Sequence, residues 1–424
     1  MTSRARVVLL LLALSILGAV TTGWNAYYSL SYVFGGLLII TFIWSRFMLN
    51  GVVLRRIPRA ARGQMGRPFW ETMRIANTSR LPKFWIGVED QSDFPGHQGS
   101  SIILKLRSGH ERHWLARTLC VRRGRFHLGP TTLSAADPFG LFQVRKRVME
   151  AQSVVVLPMT VPLRNFPIPS GILPGGDALQ KPTHQVTPNA TSVREYAPGD
   201  SLNRIHWRSS AKMNRLISKE FELDPLTDVW VIVDGEGSVQ YGELDPHQFD
   251  IRNILPGAIK IPATTEEYCV TAAASIAFHV LQQDRAVGFI GHGLARHIVQ
   301  SDRGEAQVIR ILESLAVLDA KGSLSLPEVV KIEGARIAHG STVILITPAL
   351  DQKVTTAARD LRRRGAFPMV VAVDASSFGG PEGVQGLIGV LEREGVPFLL
   401  LQNGQPLAAA LSGPMPSRPY FRAA

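Results

Sequence analysis

Two uncharged apolar runs stand close together at the N-terminus of the 424-residue chain. They cover residues 7–22 and 30–44, and the polar-aromatic stretch 23–29 lies between them. Each run is slightly shorter than the roughly 20 residues that cross a bilayer as a helix. Aromatic residues flank both runs at positions suited to the membrane interfaces: Trp24, Tyr27, Tyr28, Trp44 and Phe47. The pattern predicts a transmembrane hairpin of two helices.

Arginines flank this hairpin at both ends, whereas the connecting stretch carries no charge. They are Arg4, Arg6, Arg46, Arg55, Arg56, Arg59 and Arg62. Because positive residues stay on the cytoplasmic side, we expect both ends of the hairpin and the soluble region in the cytoplasm. The net charge of +12 and the arginines near the apolar runs favour contact with anionic lipid. A cleaved signal peptide is the alternative, and it would place the soluble region outside the cell.

The soluble region begins with short β-type segments and continues with a different period. Residues 63–158 contain several such segments between turn dipeptides such as Pro95-Gly96 and Arg123-Gly124, which predicts a β-sandwich. From residue 228, continuous apolar strands alternate with helical patterns, which predicts a parallel sheet covered on both faces. Ligands in such sheets bind at the carboxyl ends of strands, and Asp234 follows the first strand.

The densest charge pattern of the chain lies at residues 192–222, within a connector at 159–227. Ile205 and Trp207 alternate there with charged or polar neighbours, as on a half-buried strand. One interpretation is an ion-pair network that clamps two domains, and a second is a docking surface for a protein partner. A third is a phosphate or nucleic-acid site, in which arginines lie beside Trp207. Interleaved acidic residues would repel a polyanion, so no nucleic-acid partner is expected.

Several motifs together carry a family resemblance. They comprise residues 122–130 and 137–142, and a connector motif formed by Arg194, Glu195, Tyr196, Pro198, Gly199, Asp200, Ile205, Trp207, Arg208 and Lys212. On these residues the chain resembles the domain-of-unknown-function 58 (DUF58) family of bacterial membrane proteins. The resemblance implies a β-sandwich joined to a von Willebrand factor A-like, doubly wound α/β domain. It also implies partnership with a MoxR-type AAA+ ATPase in the assembly or maturation of protein complexes, without enzymatic activity.

The expected organisation is therefore a multidomain α+β protein. It has a hairpin and basic juxtamembrane segment at residues 1–62, a sandwich at 63–158, the connector at 159–227, the A-like domain at 228–405 and a tail at 406–424.

The resemblance also raises the question of a metal ion, because an A-like domain normally carries a metal-ion-dependent adhesion site. Its first loop reads D-x-S-x-S, and the corresponding loop here has Asp234, Glu236 and Ser238. A threonine of the second loop has only a loose counterpart in Ser323 or Ser325, and Pro348 stands where a later carboxylate is usual. We expect a degenerate site with weak or absent Mg²⁺ binding. An improvised Mg²⁺ site of these three residues is the alternative.

Known catalytic motifs find little support in the chain. It has neither a G-x-S-x-G elbow nor a P-loop, and its two cysteines are far apart at Cys120 and Cys269. His110 and His113 are one residue too close for the H-E-x-x-H zinc motif. We therefore expect a membrane-anchored, non-enzymatic interaction protein. A metal-dependent ligand-binding module or a hydrolase of the cell envelope is the alternative function.

Overall fold

The computed structural model describes residues 2–168, 190–196, 205–221, 228–243 and 260–413, with backbone only at 190–195 and 219–221. The described chain forms two compact units, divided between Met159 and Thr160. We call the first the β unit and the second the α/β unit. Three residues of the connector motif, Pro198, Gly199 and Asp200, lie outside the described residues.

Two long apolar helices open the β unit. Helix α1 (Ser3–Thr22) has 20 residues and α2 (Asn25–Met48) has 24, so both extend beyond the apolar runs that predict them. They pack against each other, with the Ser15 and Ser31 hydroxyls 3.0 Å apart, and most of their apolar side chains are exposed. Both helices are long and apolar enough to cross a membrane, although a signal sequence would meet the same criterion.

Ten strands follow in three sheets. The sheet order is β1-β3-β6, β2-β10-β7 and β5-β4-β8-β9, where the strands are β1 (Val52–Pro58), β2 (Arg62–Gln64), β3 (Pro68–Asn77), β4 (Lys83–Asp90), β5 (Ser101–Leu106), β6 (Glu111–Leu119), β7 (Gly124–Leu128), β8 (Thr131–Ala136), β9 (Gln143–Met149) and β10 (Gln152–Leu157). The three-stranded β1-β3-β6 sheet and the four-stranded sheet share one apolar core: Leu54, Met73, Ile75, Ile86, Val88, Ile103 and Leu133. Side chains alternate between this core and the outer faces, as in a sandwich.

The prediction for the segment before residue 63 was wrong in one respect. Residues 52–58 form strand β1 of the sandwich instead of a basic juxtamembrane segment, because Val52 and Leu54 alternate inward. Arg56 is correspondingly buried, at 8% exposure, so it is not one of the arginines available to lipid headgroups. A count of positive charges along the sequence cannot show that one of the arginines faces inward.

The connector belongs to the α/β unit. Strands β11 (Ala190–Glu195) and β12 (Ile217–Phe221) pair antiparallel, and the short helix α3 (Trp207–Met213) precedes β12. The strand predicted at residues 205–208 was therefore wrong. Ile205 is buried, but the His206 ring then accepts a hydrogen bond from the Ser209 N–H and caps a helix. An alternation over four residues was too short to separate these conformations.

A six-stranded sheet forms the centre of the α/β unit. Its order is β15-β14-β13-β16-β17-β18, where the strands are β13 (Val229–Val233), β14 (Val287–His292), β15 (Arg296–Asp302), β16 (Thr342–Thr347), β17 (Phe367–Val373) and β18 (Phe398–Leu401). All pairings are parallel except that of the edge strand β15. The accompanying helices are α4 (Thr265–Gln282), α5 (Glu305–Ala316), α6 (Leu326–Glu333), α7 (Lys353–Arg363), α8 (Val384–Glu394) and α9 (Leu407–Leu411).

The strand order reverses direction at β13. The chain adds β14 and β15 on one side of β13 and then returns to add β16, β17 and β18 on the other. Such a reversal leaves a crevice beyond the carboxyl ends of the two strands that flank it. Val233 of β13 pairs with Ile346 of β16, so the residues just beyond them, Asp234 and Thr347, are neighbours.

Candidate functional site at the carboxyl edge of the sheet

Asp234 is the central residue of this edge and is only 2% exposed. The Thr347 hydroxyl donates to its Oδ2 at 2.6 Å, and the Glu236 N–H donates to its Oδ1 at 3.1 Å. Burial raises the pKa of Asp234 to about 6, and these two hydrogen bonds only partly oppose that rise. A buried carboxyl group with a raised pKa at the end of a strand is a common feature of functional sites.

Glu236 and Ser238 complete the predicted loop, but they face each other and a lysine. The Ser238 hydroxyl donates to Glu236 Oε1 at 2.6 Å. The Lys353 ammonium lies 3.5 Å from the same oxygen and 3.7 Å from Asp351 Oδ2. The charges of Glu236 and Asp351 raise the pKa of Lys353. The edge therefore already contains a positive charge, supplied by the first residue of α7.

Three backbone segments, at Gly235, Gly293 and Gly322, approach each other at this edge so closely that side chains do not fit between them. The Gly322 N–H donates to the Gly235 carbonyl at 2.8 Å, and the Gly237 N–H donates to the Gly322 carbonyl at 2.9 Å. A Cβ atom on Gly235 would lie 2.1 Å from the His292 carbonyl oxygen, and one on Gly293 would lie 1.9 Å from that of Asp319. Glycine is therefore required at these positions for the loops to approach each other.

The donor set is a poor fit for Mg²⁺. The three predicted ligands do lie on one loop, but both Asp234 oxygens accept hydrogen bonds and Glu236 faces Lys353. Ser325 has another role, because its hydroxyl and its N–H both bond Glu328 in the capping box of α6. Within the described ranges, the close grouping of three carboxylate or histidine ligand atoms is in the β unit and not at this edge. A divalent ion here would meet few free oxygens and a nearby ammonium.

We accordingly predict no saturable Mg²⁺ binding to the full-length protein at about millimolar concentrations. Titration calorimetry in detergent is the measurement, with Asp234→Ala as the comparison because Asp234 would be the main anchor. Saturable heat that disappears in Asp234→Ala would establish the improvised site instead. Lys353→Met removes the competing charge, so saturable Mg²⁺ binding that appears only in this variant would identify the ammonium as the group that opposes the ion.

The described residues of the connector motif lie away from these loops in sequence, and three of them are exposed on α3. Trp207 is 66% exposed, and Arg208 and Lys212 are exposed beside it on α3. Met213 and Leu216 add exposed apolar area, at 53% and 45%. Tyr196 is half-buried and Ile205 is buried, whereas Arg194 and Glu195 lie on β11. We call the five exposed residues the Trp207 surface.

Thr347 and Lys353 are the site residues that sequence reasoning missed. Thr347 directly precedes Pro348, and the prediction considered only the position of Pro348, which has no side-chain oxygen. The register of β13 against β16 could have identified Thr347 as the neighbour of Asp234. Lys353 shows no comparable signal in the sequence, because its approach to Glu236 depends on how the loop before α7 turns.

The comparison with protein families matches a part of the chain that contains the connector motif, whereas residues 122–130 and 137–142 lie outside the matched part. Residues 192–376 match the family model described as "Protein of unknown function DUF58". The uncharacterized protein YeaD of Bacillus subtilis (strain 168) is 23% identical over 198 residues, which cover 46% of this chain and 43% of YeaD. The matched part thus spans less than half the length of that curated relative.

Similar solved structures overlap only weakly. A von Willebrand factor type A protein from Catenulispora acidiphila is 15% identical, covers 46% of this chain and 42% of its own, and has a TM-score of 0.28. Proximal thread matrix protein 1 from the mussel byssus is 11% identical, covers 35% and 38%, and has a TM-score of 0.24. Overlaps this low do not define a shared fold. Residues 192–376 of this chain are similar to the family described as protein of unknown function DUF58.

Proposed function

We propose that this chain is a membrane-anchored, non-enzymatic interaction protein that serves the assembly or maturation of protein complexes. The observation that carries this proposal is the Trp207 surface, which presents a tryptophan, a methionine and a leucine among basic side chains. The similarity of residues 192–376 to DUF58 proteins supports it. A MoxR-type AAA+ ATPase is the partner that we propose, on the resemblance of the connector motif.

An exposed tryptophan beside an arginine is typical of a binding hot spot. Tryptophan and arginine are enriched among the residues that dominate the energy of protein interfaces, and exposed apolar patches rimmed by polar residues mark interaction sites. The backbone of α3 is tied to β12, because the Ser210 hydroxyl donates to the His206 carbonyl and accepts from the Ile217 N–H. A backbone held in this way has little further entropy to lose on binding.

The exposure of the basic residues favours docking over the alternative of an internal clamp. Arg208 and Lys212 both point to solvent, and exposed ion pairs contribute only about 0–1 kcal/mol to stability. Together they give the Trp207 surface a positive rim. The partner that suits this surface therefore has an apolar pocket bordered by acidic side chains.

Trp207→Ala is expected to abolish capture of the ATPase from a detergent extract and to weaken binding of the purified pair at least about 30-fold, the effect of a 2 kcal/mol hot spot. Arg208→Ala should weaken binding less and mainly slow association. The free energy of unfolding of both variants should be within about 1 kcal/mol of that of the native chain, because neither side chain is buried. Binding would be measured by titrating the purified ATPase over the native or variant chain immobilised on a surface.

Leu294→Ala is the matched control for this experiment. Leu294 is 69% exposed in the same unit, so its removal deletes a similar apolar contact outside the Trp207 surface. Retained binding in Trp207→Ala would exclude this surface as the docking site. Loss of binding in all variants, including Leu294→Ala, would indicate general disruption instead.

The membrane orientation is a separate part of the proposal. We propose that α1 and α2 cross the membrane as a hairpin, with the soluble region in the cytoplasm, because the arginines lie at the two outer ends of the hairpin. A reporter that is active only in the cytoplasm should therefore be active when fused after Ala424. Activity of a periplasmic or extracellular reporter at this position would reverse the orientation and exclude a cytoplasmic ATPase as the partner.

A further inference from the structure

A loop of the β unit runs beside the last turns of α2. Leu81, Pro82 and Phe84 enclose an apolar pocket of about 430 Å³ together with the α2 residues Ile40, Ile43, Trp44, Phe47 and Met48. The Trp44 and Phe84 rings stack with their centroids 6.5 Å apart. The neighbouring Lys83 ammonium donates to the Phe47 carbonyl, near the end of α2, at 2.6 Å.

A second loop, at residues 137–142, is attached to the same end of the hairpin. The Thr2 hydroxyl lies 2.8 Å from the Gly140 carbonyl oxygen and 2.9 Å from that of Leu141, so the two carbonyls share its one proton. The Phe142 ring contacts the Phe42 ring edge to face at 5.6 Å. Asp137 holds the loop in shape by accepting the N–H groups of Phe139 and Phe142. The loop thus contacts both helices, α1 through Thr2 and α2 through Phe42.

The position of these contacts along α2 determines how close the two loops come to a bilayer that the helix crosses. Ile40 and Phe42 precede the end of the helix at Met48 by roughly 9–12 Å at 1.5 Å per residue. A helix of 24 residues is about 36 Å long, whereas the hydrocarbon core of a bilayer is about 30 Å thick. The helix is thus only about 6 Å longer than the hydrocarbon core, whereas the contacts at Ile40 and Phe42 lie roughly 9–12 Å from its end. These contacts cannot all lie in water. When α2 crosses a bilayer, both loops therefore reach at least the headgroup layer.

Exposed apolar side chains continue from this contact onto the outer face of the sandwich. Leu81 is 56% exposed, Trp85 49%, Leu104 63% and Phe139 60%. The register that pairs Phe84 with Lys105 and Ile86 with Ile103 places Trp85 beside Leu104. Three basic residues rim this surface and are exposed: Arg80, Lys105 and Arg107. Apolar and aromatic side chains bordered by positive charge are typical of segments that lie in a membrane interface.

We propose that these side chains form a collar that sits in the phospholipid headgroup layer around the cytoplasmic end of the hairpin. The collar consists of Leu81, Phe84, Trp85, Leu104 and Phe139. Its ligand is the bilayer itself, with the basic rim facing anionic headgroups, so the β unit lies against the membrane. This inference rests on the proposed membrane anchoring. It assigns a role to the motif at 137–142, which the docking function does not use.

The test uses the full-length protein in liposomes of neutral and anionic phospholipid. Single cysteines at three exposed positions would carry an environment-sensitive fluorophore: Leu104→Cys in the collar, Leu115→Cys on the other sheet of the sandwich and Val33→Cys in the middle of α2. Leu115 is 54% exposed and Val33 is 61% exposed, and the native Cys120 and Cys269 are buried. Lipids with a nitroxide near the headgroup or deep in the acyl chain would quench the fluorophores by direct contact.

We expect the shallow nitroxide to quench more than about half of the emission at residue 104, as for a group about 5–10 Å into the interface. The label at residue 115 should be unaffected, and the label at residue 33 should respond to the deep nitroxide. Quenching at residue 33 with equal, weak quenching at 104 and 115 would overturn the collar while leaving the anchor intact. No quenching at residue 33 would overturn the anchor, and the collar with it.

A protein occupant of the collar would give another result. Nitroxide lipids cannot quench a fluorophore that a second copy or a partner covers. A blue-shifted label at residue 104 that stays unquenched would therefore show a protein contact there and overturn the lipid assignment.

Discussion

Arg56→Met should destabilise the β unit by about 3–5 kcal/mol, because it removes one of the two cations that face two buried carboxylates. The side chains of Arg56, Glu71 and Asp90 are inaccessible to solvent, and that of His97 nearly so. Arg56 Nη2 lies 2.6 Å from Asp90 Oδ1, and its Nε lies 3.4 Å from Glu71 Oε2. Methionine retains much of the volume of arginine, so the loss reports charge more than packing.

His97 is the second cation of this cluster. Its Nε2 lies 2.8 Å from Asp90 Oδ2 and 3.2 Å from Glu71 Oε1, and its Nδ1 lies 2.8 Å from the Thr118 hydroxyl. Burial alone would lower the pKa of His97, but the bonds to Asp90 and Glu71 outweigh it and raise the pKa to about 9. Two positive and two negative groups then balance inside the sandwich.

A pH dependence follows from this shift. An unfolded histidine has a pKa of about 6.5. The stabilisation from protonated His97 is therefore fully present below about pH 6.5 and is lost as the pH rises through about 9, a loss of order 3 kcal/mol. Burial would raise the pKa of Asp90, but its hydrogen bonds and the Arg56 charge hold it at about 2, so Asp90 stays ionised throughout this range.

Hydrogen exchange of the amides in β3 and β4 is the measurement for both effects. After correction for intrinsic exchange rates, their opening free energy should fall between pH 6 and pH 9.5 in the native chain. His97→Gln is the matched control, because it removes the titration, and its profile should be flat. Equal opening free energies at the two pH values in the native chain would contradict the raised pKa of His97.

This cluster shows why local patterns do not reveal every important residue. Its four side chains come from β1, β3, β4 and the loop before β5, and they meet only because β1 pairs with β3 and that sheet packs against the sheet that contains β4. The sequence offers four ordinary polar residues, and the charge pattern even assigned Arg56 to the membrane surface. Their ligand atoms, without that arginine, are close enough for a metal ion, but Arg56 already supplies the positive charge.

Elements with an unbroken apolar run or a sustained helical period could be predicted from the sequence. Four apolar residues between a proline and a polar turn predict a strand at residues 398–401, and strand β18 has these bounds. The helical spacing of apolar residues at 268–283 predicts a helix, and the observed α4 covers nearly the same residues. Strand β1 was missed, since its inward and outward positions mix arginines with valine and leucine. At the candidate site, the sequence identified Asp234, whereas its partner Thr347 required the register of the sheet.

Gly235→Ala should destabilise the α/β unit by about 3 kcal/mol, at the upper end of the range for overpacked sites. The new Cβ would lie 2.1 Å from the His292 oxygen and 2.7 Å from its carbonyl carbon, so backbone must move. His292 cannot yield easily, because its ring contacts the buried carboxylate of Glu333 at 3.0 Å. Displacing Gly235 instead would break the hydrogen bond from the Gly322 N–H.

Gly389→Ala is the matched control, because Gly389 lies within α8 and a Cβ there would meet nothing within 4 Å. Alanine is favoured over glycine inside a helix by about 0.5–1 kcal/mol, so this variant should be as stable as the native chain or slightly more stable. Denaturant unfolding of the full-length protein would separate the two substitutions. If Gly235→Ala unfolded at the same denaturant concentration as Gly389→Ala, the loops at the carboxyl edge would have room to open. Asp234 would then be far more accessible to a ligand than its burial implies.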